Sequence, residues 1–393
     1  MQGCRVCGGA VREPFFDLGL MPLANDYQTE PDAVCQRSPL AVWECSGCGL
    51  VQLTHVVAPE VLYREYPYLT GCSTPMASHF EALAESFAFP GAKVVDIGSN
   101  DGTLPAAFAT RGCTAIGIEP ARNIECKVPK ITRFLDETAV AKAVELLGGK
   151  ADVVTATNVC AHVDDLLGFL GHVRSLLSPE GLFVAEWPDW VRTAEAGAFD
   201  QIYHEHLSYF TRATFSQALR RAGLLSVREY PTLVHGGSCL VVSRYPRANE
   251  RITDFNLVQP DTEVFVAHAN WRNVALRRFF ETNSRSVAGY GAPAKATTLL
   301  NAVHCTARQL PYVVDSTPGK QGRYIPGTDI PIRPESELGE PEVVVILAWN
   351  FAKEIKAKLP SWMSVVLPME EADWHVSAGN RPEVARKPME VVS

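Results

Sequence analysis

The stretch 94–103, Val-Val-Asp-Ile-Gly-Ser-Asn-Asp-Gly-Thr, constrains the fold of this chain more than any other. Residues 94–97 read as the end of a buried strand, Gly98 opens a tight turn, Gly102 closes it, and a helix is expected over 104–110. Strand, loop and helix in that order head an α/β sheet. A glycine at 98 lets backbone pass close to a ligand, because no Cβ stands in the way. Asp96 and Asp101 bring negative charge where a phosphate loop wants none. The stretch also matches neither G-x-G-x-x-G nor G-x-x-x-x-G-K-[ST]. An acidic loop suits a cationic ligand with a ribose and an amino group. S-adenosylmethionine (SAM) answers that description.

A second carboxylate supports it. Residues 114–119 form another strand, and Glu119 at its end lies about 20 residues past the glycine turn, where an acidic side chain takes the ribose hydroxyls in sheet-based nucleotide sites. Asn100 lies in the loop, and Asn158 leaves the strand 152–157 at its C-terminal end, where ligands bind in such sheets. The expected cofactor contacts are therefore Asp96, Gly98, Asn100, Asp101, Glu119 and Asn158. The plain alternative is an α/β turn with an aspartate capping a helix. Loop and glutamate together resemble the class I SAM-dependent methyltransferases.

Two C-x-x-C knuckles, Cys4/Cys7 and Cys45/Cys48, precede this unit. Each turns two thiolates toward one point, and two knuckles complete a tetrahedral four-sulfur zinc site, structural rather than catalytic. Eleven cysteines do not make a disulfide framework in a reducing compartment, and Cys35 outside the knuckles reads as a core thiol. The net charge of −8, from 36 basic and 44 acidic residues with no basic run, disfavours a nucleic-acid partner. No apolar stretch approaches 18 residues and no signal-peptide pattern is seen, so a cytoplasmic protein without a membrane partner is expected. At 393 residues there is room for two or three domains.

Further on, strands are expected over 93–97, 114–119, 152–157 and 182–186, with helices between them, including 164–177. The helix 212–222 and the strand pair 225–230 and 238–244 close this sheet, and a long helix over 262–283 bridges to a second, smaller α/β unit. That unit has strands over 287–290, 312–314, 343–347 and 364–367 and a helix ending near 303. The fold class is α/β: a SAM-methyltransferase Rossmann-like domain flanked by a zinc lobe and a smaller Rossmann-like domain. The expected domains are 1–70 (zinc lobe), 71–245 (SAM domain), and 246–393 (helical linker plus C-terminal substrate domain).

The densest set of acid–base groups is Tyr203-His204-Glu205-His206, between the strand 182–186 and the helix 212–222. H-E-H lacks the spacing of H-E-x-x-H, so a helical zinc-protease site does not fit. An extended segment would face Tyr203 and Glu205 one way and His204 and His206 the other. The plain reading is a capped loop whose histidines bond backbone.

These features, with Asn158-x-x-Ala161-His162, Gly291-Ala292-Pro293-Ala294-Lys295-Ala296, Lys320-Gln321-Gly322-Arg323 and Ile346-Leu347-Ala348-Trp349-Asn350-Phe351, resemble the nucleotide-sugar C-methyltransferases. Cys72 and Pro293 depart from the usual pattern. The resemblance implies a substrate held between the last two domains. It implies His206 as general base, with Tyr203, Glu205 and His162 beside it and a tyrosine of the pair Tyr66/Tyr68 next to the sugar. Lys295, Lys320 and Arg323 on C-terminal loops are plausible diphosphate contacts, with solvated surface charge as their plain alternative. The implied reaction is methylation at carbon, C3 foremost, of a dTDP-4-keto-2,6-dideoxy sugar on the way to branched-sugar natural products such as antibiotics. The Gly289-x-Gly291 pair leaves NADPH-dependent ketoreduction as the alternative, and a non-enzymatic zinc-ribbon module is the third reading. C5 is the other carbon beside the ketone, and a monomer is the simplest expectation for the oligomeric state.

Overall fold

The computed structural model describes residues 3–31, 33–248, 250 and 259–369. Parts of the first and last expected domains, 1–2 and 370–393, lie outside the described residues, as do 251–258 in the expected linker.

The N-terminal lobe is built on an antiparallel sheet: β1 (Phe16–Pro22), β2 (Arg37–Glu44) and β3 (Val51–Leu53), followed by the short helix α1 (Pro59–Tyr63). The burial patterns of these strands lack clean alternation, and they escape a reading that follows periodicity.

The helix α2 (Thr74–Phe87), capped by Ser73 on Met76 N–H, leads into the middle sheet. Its parallel strands are β4 (Lys93–Ile97), β5 (Thr114–Ile118), β6 (Lys130–Ile131), β7 (Ala151–Thr157) and β8 (Leu177–Pro188). The helices α3 (Thr103–Ala109), α4 (Glu137–Leu147) and α5 (Leu166–Leu176) connect them, the last two capped by Asp136 and Asp165. Capping by Asp165 places the start of α5 two residues later than expected, and β8 runs well beyond 182–186 at both ends. After α6 (Trp190–Ala196) comes β9 (Ser208–Tyr209), which joins the first sheet beside β3, with Val51 opposite Tyr209 and Gln52 opposite Ser208. The residues that follow the acid–base cluster thus belong to the lobe that carries the four cysteines.

Helix α7 (Arg212–Arg221), closed by a Thr211/Thr214 capping box, precedes β10 (Leu225–Thr232) and β11 (Ser238–Arg244). The middle sheet runs β10-β11-β8-β7-β4-β5-β6, with β11 antiparallel to both neighbours. Strand order reverses between β4 and β7, the place where ligands bind in open α/β sheets.

The 21-residue α8 (Thr262–Thr282) packs on α6 and leads to β12 (Val287–Tyr290), α9 (Ala294–Ala302), β13 (Val313–Val314), β14 (Ile332–Arg333), β15 (Val343–Ile346), α10 (Ala352–Lys358) and β16 (Ser364–Val366). All pairings in this sheet are parallel, in the order β14-β13-β12-β15-β16. That is a Rossmann order with its own reversal between β12 and β15. Helix α9 docks on the other units: Thr297 Oγ1 donates to Ala24 O at 2.9 Å, and Thr298 Oγ1 to Ile202 O at 3.0 Å. Among the described residues, no helix is long and apolar enough to cross a membrane.

Candidate active site

The C-terminal ends of both parallel sheets open into one cavity of about 810 Å³. Asp96, Gly98, Asn100, Glu119 and Asn158 line it from the middle sheet, Tyr203, His206 and His162 from the connecting loops, and Lys295 and Lys320 from the C-terminal sheet. Tyr66 and Tyr68 complete the wall, joined by Asn25 and Tyr63, which the sequence did not single out.

At the cofactor end, Gly98 has φ of +67°, and a Cβ there would lie 2.5 Å from Val159 Cγ2. Asp96 is buried and accepts the Thr155 hydroxyl at 2.6 Å; burial pushes its pKa up to about 7, against the pull of that hydrogen bond. Glu119 takes Asn100 N–H on one oxygen and Ala121 N–H on the other, both at 2.8 Å, so its carboxylate is held rigid at the strand end. The buried oxygens Ser99 Oγ and Asn158 Oδ1 have no protein partner. Orphaned acceptors beside a fixed carboxylate fit a ligand rich in hydroxyl and amino groups, as SAM is. Asp101 is not part of this wall. Its carboxylate is taken by Gly71 N–H, Thr103 N–H and the Thr103 hydroxyl, a cap that sequence spacing alone does not distinguish from a ligand contact.

The acid–base cluster is a turn, not an extended strand. His206 N–H donates to Tyr203 O at 3.0 Å, which brings the side chains of residues 203 and 206 together and overturns the alternating arrangement expected for an extended segment. Their rings stack at 4.1 Å, with Tyr203 Oη 2.6 Å from His206 Nε2. His206 Nδ1 lies 3.0 Å from the Gln201 carbonyl, which can only accept. In the neutral imidazole the proton is therefore on Nδ1, and Nε2 carries the lone pair, toward which the Tyr203 hydroxyl donates. His204 faces away, its Nε2 3.1 Å from Ser38 O.

His162 meets His206 edge to face at 5.1 Å. Its Nδ1 is 2.9 Å from Tyr63 Oη, and Tyr63 donates to Glu205 O at 3.3 Å. In that order of donors, a neutral His162 keeps Nε2 as an acceptor, which leaves Tyr203 the better donor to an anion. Burial, and then the nearby charge of Glu205, holds Tyr203, Tyr63 and Tyr66 protonated well above their usual range.

Glu205 lies one layer behind the cavity wall, accepting from Tyr66 Oη at 2.9 Å and Asn25 Nδ2 at 2.6 Å. Burial pushes its pKa up to about 7, opposed by those two bonds. A raised carboxyl favours the protonated fold, so its contribution is full below the unfolded value near 4.5 and fades as pH rises through about 7. Urea titrations should show the stability of wild type relative to Glu205→Gln falling between those pH values; a difference flat across that window would refute the burial argument.

From the C-terminal sheet, Lys295 stands 3.8 Å over the Trp349 ring and donates to Asn350 Oδ1 at 2.5 Å. Burial draws its pKa down to about 8, against the pull of Asp200. Lys320 donates to Ala292 O at 2.9 Å, with Asp315 at 3.8 Å, and burial lowers it too. Neither is a solvated surface charge. Arg323 is not part of the cavity wall and donates instead to Tyr27 O at 3.3 Å. A Cβ on Gly289 would meet Val313 Cγ2 at 2.7 Å and one on Gly291 would meet Ala348 Cβ at 2.5 Å. Packing accounts for Gly289, while Gly291, with φ of +85°, is required by the backbone as well.

The four cysteine sulfurs lie within 4.8 Å of one another, with Cys4–Cys48 and Cys7–Cys45 both at 3.4 Å. Tetrahedral zinc with bonds of about 2.3 Å needs sulfurs roughly 3.8 Å apart. The donor set fits zinc, closed on all four sides.

Three family models match in succession: "Putative zinc binding domain" at residues 4–63, "Methyltransferase domain" at 73–229 and "C-methyltransferase C-terminal domain" at 264–365. The C-methyltransferase NovU of Streptomyces niveus is 31% identical over 382 residues, covering 90% of each chain. The chain belongs to the C-methyltransferase family. It is a SAM-dependent methyltransferase with an N-terminal zinc-binding domain. The ubiquinone biosynthesis O-methyltransferase of Bartonella tribocorum is 32% identical over 112 residues, 26% of this C-methyltransferase and 45% of that enzyme. Among solved structures, the magnesium protoporphyrin IX methyltransferase of Synechocystis PCC 6803 with bound SAH overlaps 43% of this chain and 83% of its own, at 16% identity and a TM-score of 0.34.

Proposed function

We propose that this C-methyltransferase methylates the carbon next to the ketone of a nucleotide-linked 4-keto-deoxysugar, C3 of a dTDP-4-keto-2,6-dideoxy sugar foremost. The observation that carries the reading is the Tyr203–His206 pair, with its lone pair on Nε2, set in a cavity between the cofactor strand ends and two buried lysines. A ketone acidifies its neighbouring hydrogens because the carbonyl oxygen can hold the charge as an enolate. Substrate entry displaces the Tyr203 hydroxyl from Nε2, His206 takes the proton from carbon, and Tyr203 turns its O–H to the enolate oxygen. SAM, when bound, supplies the methyl as an electrophile on a good leaving group. Asp96, Glu119 and Asn158 orient it beside the sugar within the one cavity. Lys295 and Lys320 hold the diphosphate, with ammonium groups whose charge is already partly desolvated.

Incubation with methyl-labelled SAM and the dTDP-4-keto sugar should give a branched sugar with the label on carbon. Label found only on oxygen would reject enolate attack, and label at C5 would correct the position.

A further inference from the structure

We propose that Arg5, between the first two cysteines of the metal lobe, is a positioning residue for His162 and His206, so that the zinc knuckle helps to hold the acid–base pair. This inference rests on the reading of His206 as base. The Arg5 side chain leaves the knuckle and reaches both catalytic segments. Its Nε donates to Asp164 Oδ1 at 2.9 Å, and its Nη1 donates to Leu207 O at 3.1 Å and to Gln52 Oε1 at 3.0 Å. Asp164 lies two residues after His162 and lines the cavity, while Leu207 directly follows His206. Gln52 sits opposite Ser208 where β3 meets β9, so the third contact fastens the same junction.

The guanidinium is suited to this work because its planar fork fixes several acceptors at once, where an ammonium fixes none of their angles. Its side chain is only 8% exposed, and without it the buried Leu207 carbonyl would lose a partner that water does not readily replace, while Asp164, 32% exposed, would turn to solvent and release its segment. The knuckle fixes the other end. Cys4 N–H donates to Gly9 O and Gly8 N–H to Cys4 O, both at 2.8 Å, closing the loop from which Arg5 departs. A path of defined bonds therefore runs from the four sulfurs to the two segments whose imidazoles meet at 5.1 Å. An Arg5 that served stability alone would lower the melting point without singling out a kinetic step.

The test uses the zinc-loaded full chain with Arg5→Gln and Asp164→Ala, singly and together. Zinc content by metal analysis should stay at wild-type level, and KM for SAM and sugar within about threefold. Because a displacement near 1 Å can cost on the order of 10²-fold, kcat and the rate of solvent deuterium entry at the acidic sugar carbon should fall together, roughly 10- to 100-fold. The double variant should be no worse than the weaker single one, since both cut one bridge. Arg5→Lys, which keeps charge but loses the fork, should fall between. Wild-type exchange in zinc-bound Arg5→Gln would overturn the inference. If that variant loses zinc or fails to fold, Asp164→Ala, outside the knuckle and without an acceptor for Arg5, decides: slowed exchange supports the bridge and wild-type exchange refutes it. His206→Asn in the same assay separates the two claims. Wild-type exchange there removes the base assignment, whereas a dead His206→Asn beside an unimpaired Arg5→Gln removes only the role of Arg5.

Discussion

Replacing His206 by Asn should abolish methyl transfer while SAM still binds within about twofold of wild type. Asn retains polarity but has no proton affinity near neutral pH, so the loss should match a missing general base, roughly 10²–10⁴-fold in kcat. The separation of effects follows from the geometry. The imidazole is held by Gln201 O and Tyr203 between α6 and β9, whereas Asp96, Glu119 and Asn100, the groups proposed to hold the cofactor, are fixed by Thr155, Ala121 and each other on the middle sheet. Calorimetry with SAM reads the second set, and turnover with solvent deuterium exchange reads the first. A variant that still exchanges deuterium at the wild-type rate would mean that another group takes the proton. Loss of SAM affinity alongside activity would mean that the loop and sheet are not independent.

Much of this arrangement was legible in the sequence because it rests on local chemistry. Gly98 must be glycine for φ and for the approach of Val159, and such a turn after an apolar run announces itself. Two C-x-x-C knuckles meet at one point, and buried parallel strands read as apolar runs. What stayed hidden depends on residues distant in the chain. Asn25 reaches Glu205 across 180 positions, and Ser208–Tyr209 completes a sheet that begins at Phe16. Lys295 and Arg323 look equally basic in sequence. Only the docking of α9 shows that the first is buried over Trp349, while the second is spent on a backbone carbonyl. Asp101 and Asp96 were likewise indistinguishable until the Asp101 carboxylate proved to be taken by the Thr103 hydroxyl and Gly71 N–H.

The second large effect expected is from the metal lobe. Chelation of zinc, or Cys48→Ser, should unfold the β1–β3 sheet and lower methyl transfer more than about 10²-fold, while SAM affinity changes severalfold at most. Structural zinc contributes on the order of 10–16 kcal/mol in isolated zinc-finger peptides, comparable to the whole stability of a typical domain, so the lobe has little to replace it. The consequence reaches the cavity through named groups. Asn25 and Tyr66 hold the Glu205 carboxylate, Tyr63 holds His162 and the Glu205 carbonyl, and the β3–β9 pairing anchors the residues just past His206. One face of the middle sheet shares a core with Trp43, Cys45 and Leu50 of the lobe, but the other face has a separate core around Val94, Leu104, Phe108 and Val153, which should carry the cofactor wall through the loss. Hydrogen exchange at β2 amides measures the lobe and calorimetry measures the cofactor site. Zinc-free protein that keeps β2 protected and turns over normally would show the four-sulfur site to be dispensable, whereas collapse of SAM binding would show that the lobe supports the middle sheet as well.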